Sequence, residues 1–248
     1  MRVSLAVMLL ASAGCSLSPL QNRIHPGEEP FVVVVGTGAD QKVDLFATLP
    51  GGGEVHRLTF TAMVESSPRL SGRGDVVAFL RHGTGSGREQ GEVVVMNLLN
   101  GAERNLDVPD SAGTLRSIGW SDDERHLFLT TDNGHWMVDA PPVAPNARRI
   151  PPALTAAADS ALNIWLGTPR FARVEPCATG GICIAGPSGE PRELSGTGQD
   201  AARWGSDSVA WLEGDQIVIR PLGPGPMRRL DLDPKRVTAL TGLTYATP

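Results

Sequence analysis

The chain has 248 residues, a formal net charge of −5, 41% hydrophobic and 20% charged residues, a balance that buries a core and excludes a disordered chain. The acidic charge excludes a broad nucleic-acid surface, which needs clustered Lys and Arg. Glycine (29) and proline (20) are both abundant, and without a short period they favour many turns over long helices.

The chain opens on Met1-Arg2-Val3, an apolar stretch Leu5–Ala11, and Ser12-Ala13-Gly14-Cys15. A positive start, a short apolar segment and small residues before a cleavage point describe a secretory signal over residues 1–14, too short to span a bilayer permanently. Ser12-Ala13-Gly14-Cys15 resembles a bacterial lipobox, with Ser12 where that pattern prefers Leu. The resemblance implies cleavage before Cys15 and lipidation of Cys15; an ordinary signal peptide with an incidental Cys15 is the plainer reading. Two or more acyl chains anchor firmly, because each buried methylene contributes ~0.8 kcal/mol. Ser16, rather than Asp, after the cysteine resembles lipoproteins forwarded to an outer membrane. The expected location is therefore the bacterial cell envelope, on the outer membrane facing the periplasm. Residues 15–30 carry Pro19, Pro26 and Pro30 with no apolar period, and read as a lipidated N-terminus and tether.

Residues 31–248 read as a repeated all-β domain. Phe31–Val35 and Val43–Ala47 supply two strands before His56-Arg57-Leu58-Thr59. The fullest unit is Pro68–Leu106: a short strand Pro68–Leu70, a turn Ser71–Asp75, a buried run Val76–Leu80, a glycine-rich loop and a second run Val93–Met96. It then turns at Leu99-Asn100-Gly101-Ala102 and closes on Glu103–Leu106. Four short strands in about forty residues is a propeller blade's worth of chain. The closing motif, a basic or polar pair before an apolar residue, recurs at Arg148-Arg149-Ile150, Arg192-Glu193-Leu194 and Arg228-Arg229-Leu230. Openings recur at Leu70-Ser71, Trp120-Ser121, Leu166-Gly167 and Trp204-Gly205. After each come two apolar runs: His126–Leu129 and Trp136–Val138, Phe171–Val174 and Ile182–Ile184, Val209–Leu212 and Ile217–Ile219. The first unit lacks an opening strand, and Val237–Thr247 stands where it could supply one. The expected fold is an all-β β-propeller of five four-stranded blades closed by the C-terminal segment. Residues 152–168 leave room for a degenerate extra blade.

The succession "aromatic-Ser, acidic turn, apolar run, hairpin, Arg-Leu-Thr" resembles the WD-repeat-like blades of the TolB family, over residues 31 to about 247. The Trp-Ser-Pro-Asp-Gly turn of that family survives in eroded form as Ser71–Asp75, Ser121-Asp122-Asp123-Glu124 and Gly205-Ser206-Asp207. The family's N-terminal α/β domain has no counterpart before the first unit. The resemblance implies a propeller and envelope protein partners met by loops at one end of the ring.

With Cys15 lipidated, Cys177 and Cys183 remain as an even pair flanking Ala178–Ile182 at a hairpin tip. A disulfide is the expectation, since two cysteines without a nearby His fall short of a zinc site, and it suits an oxidising compartment. Gly83-Thr84-Gly85-Ser86-Gly87 leads into a strand rather than a helix, so it reads as a hairpin loop and not a phosphate cradle. Arg73-Gly74-Asp75 occupies a tight turn. His126 and His135 fall on adjacent expected strands and Asp122-Asp123-Glu124 gathers carboxylates, but polar faces and a solvated turn explain both. Trp120, Trp165 and Trp204 sit at unit openings, where packing is the default.

Arg69, Arg116, Arg170 and Arg203 lie near unit openings and suggest an arginine-lined mouth for an anionic ligand; surface arginines of a repeat are the plainer reading. Two functions follow. The first is a non-catalytic, lipid-anchored module that binds proteins or a ligand, with no catalytic set, metal or cofactor, envelope proteins as partners, membrane contact through its lipid and no nucleic acid. The second is an enzyme, a hydrolase or lyase, with that arginine-lined site at the central channel.

Overall fold

A computed structural model describes residues 20, 23–83, 91–121, 123–142, 146–150, 173–177, 180–185 and 192–246. The signal segment, Cys15, Asp122, Trp165, Arg170 and residues 84–87 of the glycine loop lie outside the described residues.

The strands run in chain order. The first sheet begins with β1 (Phe31–Gly38), β2 (Val43–Thr48) and β3 (His56–Arg57). The second comprises β4 (Val64–Leu70), β5 (Val76–His82), β6 (Glu92–Asn97) and β7 (Glu103–Leu106). The third holds β8 (Leu115–Trp120), β9 (His126–Thr131), β10 (Gly134–Asp139) and β11 (Ala147–Arg149). The fourth has β12 (Arg173–Pro176), β13 (Ile182–Ala185) and β14 (Arg192–Ser195) among the described residues. The fifth has β15 (Gln199–Trp204), β16 (Ser208–Glu213), β17 (Gln216–Pro221) and β18 (Arg228–Asp231), and β19 (Val237–Ala246) ends the chain. Within each sheet consecutive strands pair antiparallel, and β19 pairs β1 in the order β19-β1-β2-β3, from Phe31 opposite Ala246 to Gly38 opposite Val237. This succession of up-and-down sheets is the β-propeller arrangement.

Continuous apolar runs form the inner strands of the first, second and fifth sheets because both faces of these sheets are covered. Val32, Val33, Val34 and Val35 are all buried. Phe31, Val33 and Val35 pack with Val77, Phe79, Val94 and Met96 of the second sheet, while Val32 and Val34 pack with Ala202, Trp204, Leu212 and Ile217 of the fifth. The same period-two division sends Ala78, Leu80, Val93 and Val95 against Trp120, Leu127, Leu129 and Trp136 of the third sheet. It also sends Val209, Trp211 and Val218 against Ile182 of the fourth. The sheets thus stack in the order four, five, one, two, three, with the segment between three and four (residues 151–172) outside the described residues.

Two expectations are corrected. Leu20 and Ile24, assigned by sequence to the tether, are buried in the cluster joining the first and second sheets, so packing begins well before Phe31. Two isolated apolar residues among prolines carry no period, which is why they read as linker. The opening strands reach further back than expected: β4 begins at Val64 rather than Pro68, and β8 and β15 occupy the residues leading up to Trp120-Ser121 and Trp204-Gly205. Those strands were hard to read because they are bulged. Pairing slips between Ser66 and Arg69 in β4, Leu115 and Ser117 in β8, and Gln199 and Ala201 in β15, and each slip breaks the alternation. Ser67 (φ 50°) and Asp200 (φ 36°) hold left-handed backbone at two of these bulges.

Candidate functional site

The opening strands converge: β19 contacts β4 and β15, and β4 contacts β8. Gly242 of β19 is required there, because a Cβ would come within 2.9 Å of Pro68 Cδ and Val35 Cγ2. Polar groups stitch these strands together. Leu243 N–H donates to Asp200 Oδ2 at 2.8 Å, Leu70 N–H to Thr244 Oγ1 at 3.2 Å, and Trp120 Nε1–H to the Arg69 carbonyl at 3.0 Å. Arg69 donates to the Pro68 carbonyl and lies 3.7 Å from Asp200, with 14% of its side chain exposed.

Of the four arginines expected at one mouth, Arg170 lies outside the described residues, Arg69 and Arg203 share a level, and Arg116 stands away from it. Arg69 pairs in register with Ala78 and Arg203 with Val209, each one residue before the end of its opening strand. Gly119 holds that level in the third sheet, opposite Phe128. Arg116 lies at the bulge of β8, exposed, and ion-paired to Asp132 at 2.7 Å. Arg203 donates to the Gly205 carbonyl at 2.8 Å. Arg69 and Arg203 each precede their Leu or Trp landmark by one residue and Arg116 precedes Trp120 by four, and register turns that difference into a different level.

The repeat motifs have local chemical reasons. Ser71 Oγ donates to Asp75 Oδ1 and accepts Val76 N–H; Ser121 Oγ donates to Asp123 Oδ1 and accepts His126 N–H. Each Ser-acid turn thus satisfies the first donor of the next strand. The Ser121 hydroxyl and the Arg125 N–H hold Asp123 below the usual carboxylate range. Gly74, of the Arg-Gly-Asp triplet, sits at φ 71° in this turn with no room for a side chain, since a Cβ would meet Ala246 Cβ at 2.8 Å.

The Arg-Leu-Thr ending encloses a buried acid. Asp44 is fully buried and accepts from Arg57, from Thr59 Oγ1 at 2.9 Å and from Thr61 N–H at 3.3 Å. Thr61 Oγ1 carries the chain of bonds on to Glu65 at 3.0 Å, and Arg81 joins Glu65 through Nε and Glu103 through both Nη atoms at 2.7 and 3.0 Å. Burial raises the Glu65 pKa from its ordinary 4.5 to about 7, against the opposing pull of Arg81. Arg81 itself is desolvated, but the two carboxylates more than offset this and hold it charged. This network was not legible in the sequence, where nothing links Asp44, Glu65 and Arg81, which are far apart along the chain.

The other sequence-singled residues divide likewise. Cys177 and Cys183 are joined in a disulfide, Cα to Cα 5.1 Å, below the hairpin of β12 and β13. His126 stands opposite Asp139 and His135 opposite Thr130, so strand register puts the two histidines at different ends of the β9–β10 hairpin. His126 Nε2 lies 3.3 Å from Asp139.

Between the second and third sheets, at the end that carries the β4–β5, β6–β7 and β8–β9 turns, the packing opens into a cleft of about 880 Å³. Its floor is apolar: Val76, Val95, Trp120 and Ala140, continuous with the cluster between these sheets. Its rim is charged, with Arg73, Arg104 and Arg125 facing Asp75, Glu103, Asp123, Glu124 and Asp139. The volume lies within the range of small-ligand and peptide pockets.

No protein-family model matches the sequence, and no curated protein matches it. Among solved structures the chain is similar to TolB from Acinetobacter baumannii, at 12% identity and a TM-score of 0.46, over 87% of this chain and 66% of that one. It is similar to a protein assigned as TolB from Agrobacterium tumefaciens, at 11% identity and a TM-score of 0.41, over 80% and 60%. A chain of the mitotic checkpoint complex is similar at 14% identity and a TM-score of 0.38, over 81% and 62%. This chain therefore spans less than two thirds of the length of each.

Proposed function

We propose that this protein is a lipid-anchored β-propeller of the bacterial cell envelope that works as a non-catalytic protein-interaction module. The observation that carries the reading is the stack of five sheets joined face to face by four apolar clusters, with the last strand paired to the first. In this reading the sheets are five blades of a ring closed by β19. Such a frame holds its turns rigidly, and rigid turns around a cleft are a binding surface rather than a moving part. Cys15, after Ser12-Ala13-Gly14, is the lipidated residue that fixes the frame to the outer membrane on its periplasmic side. The blade motifs resembling the TolB family favour envelope proteins as partners. Arg69, Arg116, Arg170 and Arg203 stay as proposed ligand-facing residues, Arg69 and Arg203 at one level of the opening strands.

The test is a pull-down from intact envelope with the full-length tagged protein, alongside Cys15→Ala and labelling with an alkyne-bearing fatty acid. The expected result is label on the wild type and none on the variant, with one or two envelope proteins recovered stoichiometrically. An unlabelled wild type would overturn the anchor, and recovery without any partner would overturn the module.

A further inference from the structure

Resting on that reading, we propose that the cleft between the second and third sheets docks an extended acidic peptide segment of the partner, seating an apolar side chain on the floor and its carboxylates on Arg104 and Arg125. The argument is an accounting of hydrogen-bond valence around the rim. Four of the five acids there accept hydrogen bonds from within, and Glu124 has only Arg73 near it, at 3.9 Å. Asp75 takes the Ser71 hydroxyl at 3.0 Å, Glu103 takes both Nη atoms of Arg81, and Asp123 takes Ser121 Oγ at 2.6 Å and Arg125 N–H at 3.1 Å. Asp139 takes the fork of Arg148 at 2.8 and 3.3 Å.

The guanidinium groups are in the opposite condition. Arg104 and Arg125 are exposed and make no ion pair or side-chain hydrogen bond among the described residues. Arg73 is 79% exposed and only approaches Asp75 and Glu124, at 3.9 Å each. Among the described residues the charged side chains left without a hydrogen bond at this rim are Arg73, Arg104, Arg125 and Glu124, three cations to one anion, and guanidinium forks suit carboxylates. The floor says the rest. Val76, Val95, Trp120 and Ala140 continue the inter-sheet core to the surface, so an apolar side chain placed there extends a cluster that already exists. A pocket with an apolar base and a rim whose unengaged charge is mostly guanidinium matches a carboxylate beside a hydrophobe in an extended chain.

The test selects a random peptide library displayed on phage against the immobilised full-length protein, then measures the enriched peptides by fluorescence anisotropy. The comparison proteins are Arg104→Glu/Arg125→Glu, and Ala102→Trp, which fills the exposed cleft wall. Enriched peptides should pair Asp or Glu with a large apolar residue, weaken as salt is raised, and lose about tenfold or more in affinity to either variant. Enrichment of basic peptides, no enrichment, or equal affinity for wild type and both variants would overturn the proposal. The module reading is judged separately: a partner recovered from envelope equally by wild type and variants binds elsewhere, which overturns the cleft alone.

Discussion

The second sheet has two faces with opposite finishes. Toward the first sheet, Val77, Phe79, Val94 and Met96 meet a complementary apolar surface, Leu20 and Ile24 cover it, and the Asp44–Arg57–Thr61–Glu65–Arg81–Glu103 network occupies the polar groups beside it. Toward the third sheet, Ala78, Leu80 and Val93 are equally well packed, yet the same face ends in an open cleft with arginines at its rim. Both faces come from strands of the same alternating pattern. The difference teaches that burial alone does not mark a functional surface in a repeat; unfinished packing beside unengaged charge does.

Substitutions can break that contrast in a graded way. Phe79→Ala, on the sealed face, should cost about 3–5 kcal/mol in urea denaturation, while Val95→Ala at the cleft floor should cost about 1–2 kcal/mol. Comparable losses at both positions would erase the distinction. Ile24→Ala should cost about 3 kcal/mol, because Ile24 is part of the sealed cluster; a change within about 0.5 kcal/mol would return residues 20–30 to the role of a tether.

The ionic edge of the sealed face makes a prediction about pH. Glu65 titrates near 4.5 when unfolded and at about 7 when folded. Between these values the folded protein keeps a proton that the unfolded chain has lost. Its contribution therefore lowers stability as pH rises from about 4.5 to 7, by about 3 kcal/mol at most, and levels off above. Glu65→Gln should flatten that slope in Tm against pH, and an unchanged slope would show that Glu65 is not its source. The smallest expected effect is on the open face: Arg104→Glu/Arg125→Glu should leave stability within about 0.5 kcal/mol, since neither guanidinium is paired among the described residues.

How much of this was legible follows from the physics of each signal. Pro68–Leu106 could be read because its inner strands are continuous apolar runs and its turns carry Gly, Asn and Asp, and the structure pairs Val76–Leu80 with Val93–Asn97 as the pattern implies. The return of the C-terminal segment to β1 was legible from a strand missing at the front. Leu20 and Ile24 were not, because a docked pair of residues has no period. The buried acids were hidden for a different reason: Asp44 and Glu65 look solvated until the partners that enclose them, Arg57, Thr59 and Arg81, are brought near by folding. Arginine positions misled because a single bulge residue shifts register, so Arg69 and Arg116 occupy different levels. The cleft exists only between two units, and nothing within either repeat encodes it by itself.

The most direct measurement of the account is site-specific photo-crosslinking in intact envelope. A benzophenone amino acid at Ala102, on the cleft wall, is compared with one at Asp215, an exposed turn between β16 and β17. The account predicts a discrete adduct with an envelope protein from position 102, abolished by Arg104→Glu/Arg125→Glu, and none from position 215. Adducts from 215 alone, equal adducts from both, or no adduct from 102 would contradict it.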